Sequence, residues 1–162
     1  MSQTQKVTDA NDYQTQGSAS VEVPASAGDV YAFLTDLERL PGLSPENQRC
    51  EYLGDATATD VGVRFRGHNK AGDYEWHADC EVTVAEPGKQ FTYVVPPDFE
   101  HATTWAYSIE PIDDTRCRVT ESFDAPLLAL PEIYPGTIEG RCENLIKACQ
   151  TTMDNLAAAF GD

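Results

Sequence analysis

From Thr137 to Phe160 the apolar side chains fall at helical steps: Ile138, Cys142, Leu145, Ile146, Cys149, Met153, Leu156, Ala157 and Phe160. Glu143, Lys147, Gln150, Thr151 and Asp154 take the opposite side, so the segment reads as one amphipathic helix of about six turns. At ~1.5 Å per residue it is roughly 35 Å long, the width of a small domain. Gly161 follows as a terminating residue. A helix of that length needs a broad apolar surface over it, and the preceding chain offers only strands and two short helical pieces. A sheet wrapped around a single helix follows, and such a wrap readily leaves a cavity between the two.

The strands are read from alternation. Ser18 to Val23 sets Ala19, Val21 and Val23 against Ser20 and Glu22, and Pro24 closes it. Ser26 opens a short helix with Asp29 three residues on, in the manner of a capping box. Its apolar stripe is Val30, Phe33, Leu34 and Leu37; Pro41, Gly42 and Pro45 then leave room for at most one more turn around Leu40. Six further strands are predicted: Gln48 to Gly54, Gly62 to Asn69, Tyr74 to Ala85, Gln90 to Val95, Thr103 to Glu110 and Arg116 to Asp124. Turn residues join them at short range, which makes an antiparallel meander. The fold class is α+β, a curved seven-stranded antiparallel sheet around the terminal helix with two short helices after the first strand. One domain covers 18–162, and the polar leader 1–17 is expected to be a disordered tail.

Period-two alternation also assigns faces. Phe65, Gly67 and Asn69 share one face of their strand and Arg64, Arg66 and His68 the other. The next strand turns Tyr74, Trp76, Ala78, Cys80, Val82 and Val84 inward and Glu75, His77, Asp79 and Glu81 outward. Basic and acidic outer faces then meet across a hairpin, which ordinary cross-strand pairing explains at about 0.2–1 kcal/mol per pair. Phe91, Tyr93, Trp105, Tyr107, Ile109, Cys117, Val119, Glu121 and Phe123 continue the inner face.

Two inward residues break the apolar pattern. Glu121 stands between Val119 and Phe123, and a carboxylate aimed into apolar space has to be paired, protonated or solvated. It reads either as a general acid or base with a raised pKa or as a structural residue, displaced by a bulge or paired with Arg141. Asn69 reads either as a polar group of the cavity or as a turn residue. Trp76, Tyr93, Trp105 and Tyr107 offer apolar area with a polar handle, and Gly67 and Ala78 between them favour a residual cavity over a solid interior. Arg141 and Glu139 flank the helix stripe near its start, either at the cavity mouth or in solvent.

Composition removes several function classes. The chain carries 27 acidic against 11 basic side chains, a net −16, which argues against a nucleic-acid partner and against docking on an anionic membrane. No apolar run approaches a membrane span, and the leader does not resemble a signal sequence. The five cysteines form no Cys-x-x-Cys pair, and Cys142 and Cys149 lie about 10 Å apart along the helix. Reduced buried thiols in a cytoplasmic protein are the expectation. His68 and His77 fall on the outward phase and His101 in a loop, so no metal site is expected, and no phosphate loop or other cofactor motif is present.

These stretches resemble the SRPBCC superfamily (START, Bet v 1 and polyketide cyclase proteins), in particular its bacterial polyketide cyclase/dehydrase-like branch. The likeness runs from Val21-Glu22-Val23-Pro24-Ala25 and Asp29 to Leu34, through Phe65 to Asn69 with Trp76, Val82 to Phe91 and Thr104 to Tyr107. It ends in Arg116 to Pro126 and Thr152 to Leu156, nearly the whole chain. The resemblance implies a helix-grip fold with a hydrophobic ligand cavity between sheet and helix. The superfamily shares no universal catalytic set, so it certifies no catalytic residue here.

Three functions are in view. In the first, a cyclase or dehydratase folds a polyketide-like substrate in the cavity; Glu121 moves the proton while Asn69, a tyrosine hydroxyl or Arg141 polarises a carbonyl. The loops 96–101 and 125–136 would close the mouth. Phe65, Tyr74, Trp76, Tyr93, Phe99, Trp105, Tyr107, Phe123, Arg141, Leu145 and Cys149 are the expected ligand contacts. In the second, a monomer or homodimer carries or senses a hydrophobic metabolite or lipid without chemistry; a regulatory module is a third reading. An acidic carrier protein would be repelled unless Arg64, Arg66 and Lys70 form a landing patch.

Overall fold

The computed structural model describes residues 15–100, 102–126 and 138–161, with side chains of the terminal helix from Cys142 onward. Seven strands form one sheet: β1 (Gln16–Val23), β2 (Asn47–Tyr52), β3 (Arg64–Ala71), β4 (Tyr74–Glu86), β5 (Gln90–Val95), β6 (Thr103–Asp113) and β7 (Arg116–Asp124). Helix α1 (Ala27–Leu34) and a one-turn 3-10 segment (Leu40–Gly42) connect β1 to β2, and α2 (Ile138–Phe160) ends the chain. The spatial order is β1-β7-β6-β5-β4-β3-β2, every pair antiparallel. Five hairpin links build β2 to β7 in sequence, so the two edge strands β1 and β2 are joined only across the end of the sheet, through α1. The expected helix grip is the observed architecture.

Local chemistry accounts for the element ends. Ser26 accepts the backbone N–H of Asp29 at 3.2 Å and caps α1 at its start. The Thr35 hydroxyl donates to the Tyr31 carbonyl at 2.8 Å and the chain leaves the helix there. The outer face of the sheet is bound by ion pairs in register: Arg64 with Glu81 at 2.9 Å and Arg66 with Asp79 at 2.7 Å. The doubly bonded Arg66 guanidinium holds the Asp79 carboxyl below its ordinary pKa.

Strand pairing departs from the sequence expectation at two places. A bulge after Val82 places Val82 opposite Tyr93 but Val84 opposite Thr92 and Ala85 opposite Phe91. Ala85 therefore takes the inner phase and Val84 the outer one, because one extra residue inverts all that follows in the strand. Strand β1 also begins at Gln16, so Gln16 and Gly17 pair with Asp124 and Phe123 instead of belonging to a tail. At Gly17 a Cβ would stand 2.5 Å from Ile146 Cγ1, so a glycine is what lets α2 lie so close to this strand.

The interior is divided along α2. Toward its C-terminal end, Met153 and Leu156 are fully buried with Val23, Val30, Leu34 and Val119. Phe160 packs on Phe33 at 5.4 Å, and Asn155 donates to the Leu43 carbonyl at 2.8 Å, tying the helix end to the short helical region. This half is solid core. Nearer its N-terminal end, the helix residues Leu145, Ala148, Cys149 and Thr152 face open space instead.

Candidate functional site

That space is a cavity of about 620 Å³ between the inner face of β3–β7 and α2. It falls in the range of small-molecule pockets, roughly 300–1,000 Å³. Aromatic rings make much of its wall. Phe65 meets Tyr93 edge-on at 5.2 Å, Phe91 lies behind Tyr93 and Tyr107, and Trp105 packs on Phe123 at 5.3 Å. Tyr74 and Trp76 stack at 5.3 Å and line the same cavity, Tyr74 with 68% of its surface exposed. The sequence pattern turned Tyr74 inward; its place at the first residue of β4 puts it on the rim.

Glu121 is buried at 5% exposure and lines the cavity. Its register partners are Tyr107 on β6 and Ala19 on β1, so the sheet itself holds the carboxyl inward. Burial pushes its pKa up to about 7. The Tyr107 hydroxyl and Cys149 thiol favour the carboxylate and offset part of that rise. Among the described residues, Oε1 has no hydrogen-bond partner. A buried carboxyl oxygen in that state is costly in a protein interior and suited to a group that arrives from outside. Burial likewise raises the phenols of Tyr93 and Tyr107 well above their ordinary value, so both hydroxyls remain protonated donors.

A second polar cluster lies on the β2–β3 wall. Asn47 Nδ2 donates to Asn69 Oδ1 at 2.8 Å, and the Cys50 thiol donates to Asn47 Oδ1 at 3.2 Å. Gly67 makes room for this amide: a Cβ there would stand 3.2 Å from Asn47 Nδ2. With Asn69 Oδ1 engaged, its Nδ2 is the atom available to a ligand oxygen.

The cavity brings together Glu121, Asn69, Phe65, Tyr74, Trp76, Tyr93, Trp105, Tyr107, Leu145 and Cys149. Phe123 does not line it; the ring is core, packed against Trp105 and facing Gly17. Phe99 is half-buried in the loop after β5 and is not among the lining residues either. The side chain of Arg141 and most of the loop 125–136 lie outside the described residues, as does His101. Ser44, Glu46, Asn47, Cys50, Ala148 and Thr152 line the cavity and were not singled out by sequence, while Cys80 lines it on the inward face that alternation assigns. Ala148 and Thr152 follow Leu145 at three and seven residues, a spacing that would have placed both on the cavity side. Among the described residues, no cluster of three or more His, Cys, Asp or Glu side chains is arranged to hold a metal ion.

A family model described as polyketide cyclase/dehydrase and lipid transport matches residues 14–161. The fold is similar to a polyketide-cyclase-like protein, Cgl2372, from Corynebacterium glutamicum, at 24% identity and TM-score 0.63 over 90% of each chain. It is also similar to a START superfamily protein from Mycobacterium smegmatis, at 19% identity and TM-score 0.59, over 87% of this chain and 98% of that one. A third neighbour is the di-domain aromatase/cyclase BexL of the BE-7585A biosynthetic pathway, at 13% identity and TM-score 0.66. It covers 90% of this chain and 46% of its own. A search of curated proteins finds no match.

Proposed function

The chain belongs to the polyketide cyclase/dehydrase and lipid transport family, and on that premise we propose that it binds a hydrophobic, oxygen-bearing small molecule in the cavity and promotes its cyclisation or dehydration. The observation that carries this reading is Glu121: a buried carboxyl with an unpartnered oxygen, on the wall of an aromatic-lined cavity. A pKa of about 7 leaves the group divided between acid and base at neutral pH, the condition under which one residue can both take and return a proton.

The chemistry then balances within one substrate. The Glu121 carboxylate removes a proton from a carbon between two carbonyls, and the resulting enolate carbon attacks a further carbonyl carbon of the same molecule. A carbon–carbon bond forms, and Glu121 returns its proton to the alkoxide, giving a hydroxyl and regenerating the carboxylate. In a dehydration that carboxylate removes a second proton from the attacking carbon and delivers it to the departing hydroxyl, so the carbon–oxygen bond breaks, a carbon–carbon double bond forms and water leaves. The Tyr93 hydroxyl or Asn69 Nδ2 would donate to the oxygen on which charge develops, while the Tyr107 hydroxyl serves Glu121. The walls contribute by holding a flexible chain in a reactive shape.

A free substrate suits this protein better than one tethered to an acidic carrier. Arg64 is bound to both Glu81 and Asp98 at 2.9 Å, and Arg66 to Asp79, while Lys70 stands opposite Glu75. The basic strip is thus neutralised on its own sheet and offers little net charge to an acidic partner.

Incubation with candidate poly-β-carbonyl compounds, with products followed by mass spectrometry, tests the reading. Turnover lost in Glu121→Gln with binding retained supports the enzyme. Tight binding of unchanged compound by both proteins supports the second reading, a carrier or sensor, which needs the same cavity and no proton transfer.

A further inference from the structure

The charge of the cavity wall carries a conclusion about what enters. The described lining holds the buried carboxyl of Glu121 on β7 and no lysine, arginine or histidine; Glu46, ahead of β2, also lines the space but has a partner of its own. Every arginine whose side chain is described is ion-paired with a carboxylate outside the lining: Arg39 with Asp36, Arg49 with Glu51, Arg64 with Glu81, Arg66 with Asp79, and Arg116 and Arg118 with Glu22. His68 is likewise held by Glu51 at 2.6 Å on the outer face. The chain as a whole carries −16, and its field adds to the local one.

We propose that the cavity selects by charge: the ligand group that reaches Glu121 is an uncharged hydroxyl or carbonyl, and molecules that would bring a carboxylate, sulfate or phosphate to that position are refused. This rests on the cavity being the binding site and deepens that reading. A carboxylate delivered beside the unpartnered Oε1 would meet a like charge, or force Glu121 to hold its proton, in surroundings that solvate neither. A hydroxyl donates to that oxygen directly, and a carbonyl accepts from the protonated carboxyl. Of the two activities joined in the family's description, a free fatty acid bound head-first is therefore the poor fit, and a neutral polyphenol or polyketone the good one.

Matched probes test it: 2-naphthalenemethanol and 2-naphthoic acid, titrated into the full chain by calorimetry or by quenching of Trp76 and Trp105. Near neutral pH and above, the alcohol is expected to bind and the acid to bind more weakly by about tenfold or more. The gap should narrow as pH falls through the Glu121 titration, since a protonated carboxyl no longer repels the acid. Glu121→Gln should narrow it near neutral pH and above, to about the size seen in the native protein at low pH. Equal or tighter binding of the acid above neutral pH overturns the proposal, and its loss in Arg141→Gln would name the cation responsible. Binding of neither probe overturns both this inference and the cavity as a binding site. Binding of the acid as tightly as the alcohol overturns charge selection alone.

Discussion

Replacing Glu121 by Gln should make the protein more stable at high pH and leave it nearly unchanged at low pH. Unfolded, the carboxyl ionises around its ordinary 4.5; folded, it does so at about 7. Below the lower value both states are protonated and burial carries no electrostatic penalty. Between the two, the native state alone retains the proton, so stability falls as pH rises. Above the upper value both states are ionised and the loss is complete. At ~1.36 kcal/mol per pKa unit the full loss is about 3 kcal/mol. Glutamine has the same shape and does not titrate, so its advantage over the native residue should climb from near zero around pH 4.5 to about 3 kcal/mol above pH 8. Urea unfolding followed by tryptophan fluorescence at several pH values measures it, and titrations common to both proteins cancel in the difference. Stability curves that run parallel from acid to base would refute the reasoning, because they would mean that Glu121 ionises alike in both states.

The other predictions follow from packing and charge. Gly17→Ala puts a Cβ into Ile146 and Phe123 and should lower stability by about 1–3 kcal/mol in thermal or urea unfolding; an unchanged midpoint would show that α2 does not lie so close to β1. Ala148→Phe projects a ring into the cavity from α2, and should abolish binding of 2-naphthalenemethanol while circular dichroism stays native; undiminished binding would place the ligand elsewhere. The thiol of Cys50 is pushed up to about 11 by burial, and burial raises Cys80 and Cys149 further, so iodoacetamide should label these cysteines slowly in the native protein and rapidly in urea. Equal labelling rates would contradict their burial. A double-mutant cycle of Arg66→Ala and Asp79→Ala should return a coupling of about 0.2–1 kcal/mol, as expected of a partly exposed pair, and several times that would mark the pair as structural.

Much of this architecture is legible in sequence because two periods do most of the specifying. Apolar spacing along Ile138–Phe160 predicts the helix to within a residue, and alternation along β7 turns Glu121 inward between Val119 and Phe123. The turn residues predict the meander, and Gln90–Val95 and Arg116–Asp124 match their expected limits. Three things escape such a reading. The bulge after Val82 is a property of pairing with β5, so no pattern within β4 alone reveals that Val84 faces out. Asn47 joins the site because it lies opposite Asn69 across the β2–β3 ladder, a register visible only once the strands are paired. Phe123 shares the inward phase of Glu121 yet packs against Trp105, away from the cavity lining; phase states a side and not a depth. The division of the interior into solid core and open cavity depends on where α1 and the 3-10 turn meet α2, contacts that local sequence does not encode.

The central claim is that Glu121 faces a sheltered binding space with an oxygen awaiting a partner. Its most direct test is the titration of the Glu121 side-chain carboxyl by carbon-13 NMR, assigned with Glu121→Gln, in the free protein and with 2-naphthalenemethanol added. The midpoint should lie at about 7 in the free protein and move when the alcohol binds. A midpoint at the ordinary 4.5 that the alcohol leaves in place would contradict it.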